Sequence, residues 1–172
     1  MTMHDTLVNY FQGEKNAGIF LAVMSLAALG WAFYARSDAD LRGMFWPVAL
    51  VGFLQLAIGV GLAAKTPAQV GALEAQLAST PDAFYAAERP RMERVQRNFL
   101  VIEVVEVALI AAGLALALVM KSRLAWWGVG MGVVLQASVM LVFDLMAERR
   151  GEVYFTALTS PTHAIVTAAP RP

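Results

Sequence analysis

The chain contains no cysteine among its 172 residues. That absence removes disulfides, thiolate nucleophiles, iron–sulfur ligation and Cys-type zinc sites, and with them the quinone-linked thiol oxidases that are also small helical membrane proteins. Histidine is nearly as scarce, with only His4 and His163, both in flanking segments. Two such residues build neither an intramembrane bis-histidine haem nor the Glu-x-x-His pairs of a di-iron bundle. Charge is low as well: 15% of positions are Asp, Glu, Lys or Arg, and thirteen basic residues balance thirteen acidic ones. A balanced chain gives no electrostatic footprint for nucleic acid. Gly-rich phosphate loops and Ser/His/Asp sets are missing, and the Gly128, Gly130, Gly132 series lies in an apolar run where no phosphate would go. The nine methionines form no regular Met-x-x-Met cluster, so they read as gap-filling residues and not as a soft-metal site. No cofactor or metal is expected.

What is abundant is apolar sequence, 59% of positions. It is gathered into four runs, at 18–35, 44–64, 99–120 and 124–147. Each is long enough, at about 1.5 Å per residue, to cross a hydrocarbon core of about 30 Å. The first run exceeds a signal-peptide apolar region and follows Glu14 and Lys15, so it reads as a retained helix. The expectation is an all-α integral membrane protein of four transmembrane helices, forming one domain over 1–155 as two antiparallel hairpins. Residues 121–123 are too few to join the third and fourth runs in any other way.

The segment 65–98 differs in character and predicts a helical cytoplasmic connector. Thr66-Pro67 and Thr80-Pro81 each read as an N-cap followed by proline at the first helical position, giving separate helices over 67–78 and from 81 onward. Pro90 predicts a kink or restart in the second. A short amphipathic piece follows Arg150, and 156–172, rich in Ala, Thr and Pro, reads as a disordered tail.

Positive charge sets the orientation. Lys15, Lys65, Arg89, Arg91, Arg94, Arg97, Arg149, Arg150 and Arg171 fall on one side, against Arg36, Arg42, Lys121 and Arg123 in the two turns. The positive-inside rule then puts both termini and the connector in the cytoplasm, with Trp31, Trp46, Trp126 and Trp127 at the opposite interface. Economy of length and composition suit a bacterial inner membrane.

Glu103 and Glu106 interrupt the third run, and intramembrane carboxylates are by default a functional hypothesis. They lie roughly 6–12 Å inside the cytoplasmic boundary at about 1.5 Å per residue and share a helical face. Asp144 and Glu148 return to the same depth on the fourth helix, and Glu14 is placed to join them. Such a cluster binds a proton or cation, or is stapled by the basic rim of Arg91, Arg94, Arg97, Arg149 and Arg150. Gly128, Gly132 and Gln136 recur every four residues as a helix-packing stripe, Ala108, Ala112 and Ala115 make another, and Gln55 and Gln136 are candidate interhelical hydrogen-bond groups.

Glu93-Arg94-Val95-Gln96-Arg97, at the mouth of a helix, resembles the Glu-Arg-Val-x-Arg signature of the membrane-associated eicosanoid and glutathione metabolism family of four-helix proteins. The resemblance covers five residues and implies glutathione binding. In the family the motif opens the second helix and continues with alanine and asparagine; here Asn98 and Val101 stand in those places and the motif precedes the third run.

Without a catalytic constellation, the functional expectation is a non-enzymatic accessory or interaction component, with the lipid bilayer around it, a protein partner at the connector and room for homo-oligomer contacts. The alternatives are a proton- or cation-coupled channel or transporter using Glu103 and Glu106, and a glutathione-type membrane enzyme.

Overall fold

The computed structural model describes residues 2–160. Among them there is no strand. Four long helices carry the fold: α1 (Met3–Ala35), α2 (Phe45–Ser79), α3 (Pro81–Val119) and α4 (Leu124–Thr159), with a single 3-10 turn at Arg42–Met44 before α2. All four are long and apolar enough to cross a membrane. At 33 to 39 residues each is about 50–60 Å long, well beyond the thickness of a hydrocarbon core of about 30 Å.

The helices are longer than the apolar runs because their ends are built to continue. Thr2 starts α1 with a reciprocal capping box: its hydroxyl accepts from Asp5 N–H at 3.1 Å and its own N–H donates to the Asp5 carboxylate at 2.9 Å. That contact holds the Asp5 carboxyl below its ordinary range. Helix α2 does not stop at Thr66-Pro67, contrary to the N-cap reading. Thr66 is buried and donates its hydroxyl back to Leu62 O at 2.6 Å, and Pro67 sits inside the helix. Tertiary packing on both sides of Pro67 outweighs the one lost N–H bond. Thr80, with φ −141° and ψ 69°, is the real break, and Pro81 opens α3 at a position where its missing N–H is harmless. Pro90 does not restart α3, which runs unbroken into the third apolar segment. Residues 156–159, read as the start of a disordered tail, are the last turn of α4; the rest of that tail lies outside the described residues.

Packing is closest between α1 and α2 and between α3 and α4. Glycine makes this possible. A Cβ on Gly18 would stand 2.8 Å from Gly59 O, and one on Gly59 only 2.6 Å from Gly18 O; Gly113 and Gly130 face each other in the same way across α3 and α4. The two pairs meet where Gly43 lies against Gly128, with Met44 and Pro47 against Gly132. These contacts let backbones approach where no side chain fits. The Ala108, Ala112, Ala115 stripe points outward instead, and Gly113 and Ala117 are the buried small residues of α3.

Two packing regimes divide the molecule along its length. Over the apolar runs the buried positions are mostly small, such as Gly18, Ala32, Gly52, Gly113, Gly130 and Ala137, while large residues face outward, Leu50 at 75% and Val119 at 74% exposure. At the other end the pattern inverts. Met3, Leu7, Phe11, Phe84, Met92, Tyr154 and Leu158 form a cluster of large buried side chains from α1, α3 and α4, with Val70, Leu73 and Leu77 of α2 packed on it. A core of large apolar side chains is what water drives together; small-residue seams under an apolar exterior are what lipid permits.

Candidate functional site

The helical head holds one buried ionic network. Glu88 is 2% exposed. Arg91, one turn later on α3, places its Nε 2.7 Å from Glu88 Oε2, and the Tyr154 hydroxyl donates to Glu88 Oε1 at 3.0 Å. Tyr154 stacks on Tyr10 with ring centroids 4.7 Å apart, and Tyr10 donates to Glu14 Oε1 at 2.8 Å. Arg91 also lies 5.7 Å above the Phe11 ring. A buried carboxylate is tolerated only with such partners. Burial first, and the neighbouring carboxylates of Glu14 and Glu88 second, push the Tyr10 and Tyr154 phenols up. The head is further tied by His4 Nε2 to Glu74 Oε1 at 2.9 Å, and by Arg89 Nε donating to Leu158 O at 2.8 Å at the end of α4.

The sequence-derived acids separate into distinct settings. The packing of α3 against α4 makes Asp144 a neighbour of Glu106, and Glu148 a neighbour of Glu103. Glu103 Oε1 and Glu106 Oε2 are buried without a hydrogen-bond partner. Glu106 is buried, and the other three are half-buried. Glu14 is bonded to Tyr10 and belongs to the head network. Among the described residues no three His, Asp or Glu side chains converge as metal ligands.

Among the described residues no arginine of the basic rim makes an ion pair within 4.0 Å with Glu103, Glu106, Asp144 or Glu148. Among the described residues Arg91 is the one arginine in an ion pair, and its partner is Glu88. Arg94 turns to Pro90 O at 3.2 Å, Arg97 and Arg149 are exposed, and Arg150 packs its stem over Gly13, its enclosed Nε making no hydrogen bond. Arginines one to three turns away along a helix do not reach down when nearer acceptors or water take them.

At mid-length the two helix pairs are bridged by amides. Gln55 Nε2 donates to Gln136 Oε1 at 3.4 Å, and Gln136 Nε2 to Val48 O at 3.2 Å; both side chains are buried. The bridge lies between two apolar clefts, a smaller one against α1 and a larger one of about 580 Å³ walled by α2, α3 and α4.

The head network escaped the sequence reading although its signal is present. Met3, Leu7 and Tyr10, and Phe84, Glu88 and Met92, recur at helical spacing on one face. Glu93, Arg94 and Arg97 of the glutathione-family likeness are exposed and lie a third of the way along α3, not at a helix mouth. No family model, curated protein or solved structure matches this chain.

Proposed function

We propose that the protein is a membrane-integrated accessory component: two helical hairpins cross the bilayer and their ends fuse into a cytoplasmic head that docks a protein partner. The observation that carries this reading is the inversion of packing along the same four helices, small seams under an apolar exterior at one end and a core of large side chains at the other. A head with its own core is more than a connector. It offers a rigid, water-facing surface in which Glu93, Arg94, Arg97, Arg149 and Glu152 are exposed. In this reading the start of α1, the end of α4, the basic rim and the head lie on the side favoured by positive charge, the cytoplasmic side of a bacterial inner membrane.

The cysteine-free background makes the test direct. Asp38→Cys in the α1–α2 turn reacts with a membrane-impermeant maleimide in intact cells, whereas Glu93→Cys in the head reacts only after permeabilisation. A photo-crosslinker at Glu93 then captures one discrete partner, and wild-type proteoliposomes show no pH- or cation-driven flux. Robust flux lost in Glu103→Gln/Glu106→Gln would replace this reading with an ion pathway.

A further inference from the structure

The larger cleft combines features that a lipid-filled gap does not need. Its walls are apolar, with Trp46 and Leu50 of α2 at one end and Val105 of α3 on one side, yet three buried polar side chains line it: Gln55, Gln136 and Glu106, at 3%, 4% and 5% exposure. Gln55 lies ten residues into α2 and Gln136 twelve into α4, which puts the amides about 15–18 Å from the Trp-bearing end of the bundle. That is near the middle of a hydrocarbon core of about 30 Å. The Oε2 of Glu106 is buried and has no hydrogen-bond partner. The cleft opens between α2 and α3, which touch each other little, so its mouth faces the bilayer interior. Apolar walls with a few convergent polar groups are the pattern of a small-molecule site.

Depth selects the occupant. A phosphate or ammonium head would lose its hydration at this level, which is expensive, whereas an uncharged ring bearing carbonyl or hydroxyl oxygens can meet amide N–H groups and a carboxyl without that penalty. The chain attached to such a ring replaces hydrocarbon contacts along Leu50, Leu54 and Val105. We propose that this cleft binds the ring of a lipid-soluble quinone or quinol, with Gln55, Gln136 and Glu106 as its hydrogen-bonding partners. The inference rests on α2, α3 and α4 crossing a bilayer and is independent of the partner docked at the head.

The test uses the full chain in phosphatidylcholine nanodiscs, with decylubiquinone as the probe and quenching of tryptophan emission as the readout. The expected result is saturable quenching, largely lost in Trp46→Phe, displaced by decylubiquinol and not by dodecane. Gln136→Leu and Glu106→Leu weaken it at least tenfold. Because either of these can disturb the α2–α4 bridge, Val105→Phe supplies a second variant that fills the cleft from its exposed wall and abolishes saturation with helicity unchanged. Quenching that rises linearly with quinone content, displacement by dodecane, or saturation unaltered in Val105→Phe overturns the proposal. None of these outcomes touches the topology, which the maleimide labelling tests alone.

Discussion

The rings of Tyr10 and Tyr154 stack at 4.7 Å and within 10° of parallel, joining the first turns of α1 to the last turns of α4. The start of α1 and the end of α4 therefore close on each other, and the head is sealed by residues that are 144 positions apart in sequence. Replacing Tyr154 with alanine removes a fully buried ring as well as its bond to Glu88. A loss of about 3–5 kcal/mol is expected, as for other buried aromatic truncations. Tyr154→Phe removes only the hydroxyl and costs about 1 kcal/mol. Thermal unfolding in a mild detergent, followed by circular dichroism, separates the two.

The same phenols set an alkaline limit. Burial first and adjacent carboxylates second raise both above the ordinary tyrosine range, so the folded head keeps its protons while the unfolded chain begins to lose them near pH 10. Stability from this source is complete below pH 10 and falls as pH rises beyond it. Absorbance at 295 nm should report two tyrosines that ionise only together with loss of the near-ultraviolet dichroism of the head. Smooth titration of all four tyrosines in the folded protein contradicts the packing.

A matched pair of glycines tests the seam between α1 and α2. Gly59→Ala drives a methyl to within 2.6 Å of Gly18 O and should cost about 1–3 kcal/mol, whereas Gly61→Ala meets nothing within 4 Å and should be neutral or slightly stabilising through helix propensity. Unfolding in graded denaturing detergent gives the comparison.

Gln136→Leu tests the amide bridge as a structural element. Two hydrogen bonds are lost, and interhelical bonds of this kind are worth about 0.6 kcal/mol on average within membranes, so a modest loss of about 1 kcal/mol is expected. A Gln55→Leu/Gln136→Leu double variant should lose less than the sum of the singles, because the two share one of those bonds.

The four apolar helices were legible because an apolar run of about 18 residues or more with few charges is the length a bilayer demands and a small water-soluble core does not. Their true ends were not. Thr66-Pro67 carries the same signal as Thr80-Pro81, yet only Thr80 breaks the chain, since Thr66 is held by Leu62 O and by packing on either side of it. Proline at a first helical turn and proline tolerated inside a packed helix look alike until the neighbours are known. The pairing of α3 with α4 follows from the short turn at 120–123 and could be read from its length. The role of Glu88 could not, because its partner Tyr154 matters only once α4 extends beyond its apolar run to reach it.

Gly43 and Gly128 meet backbone to backbone at one end of the molecule, and the aromatic core clamps the other. Between these fixed points α2 and α3 are nearly unsupported by each other. The pair behaves as a strung bow: neither tip can travel, so any widening of the gap between them must be taken up as curvature. Pro67, which deprives α2 of one rung of its ladder, is where that curvature is cheapest.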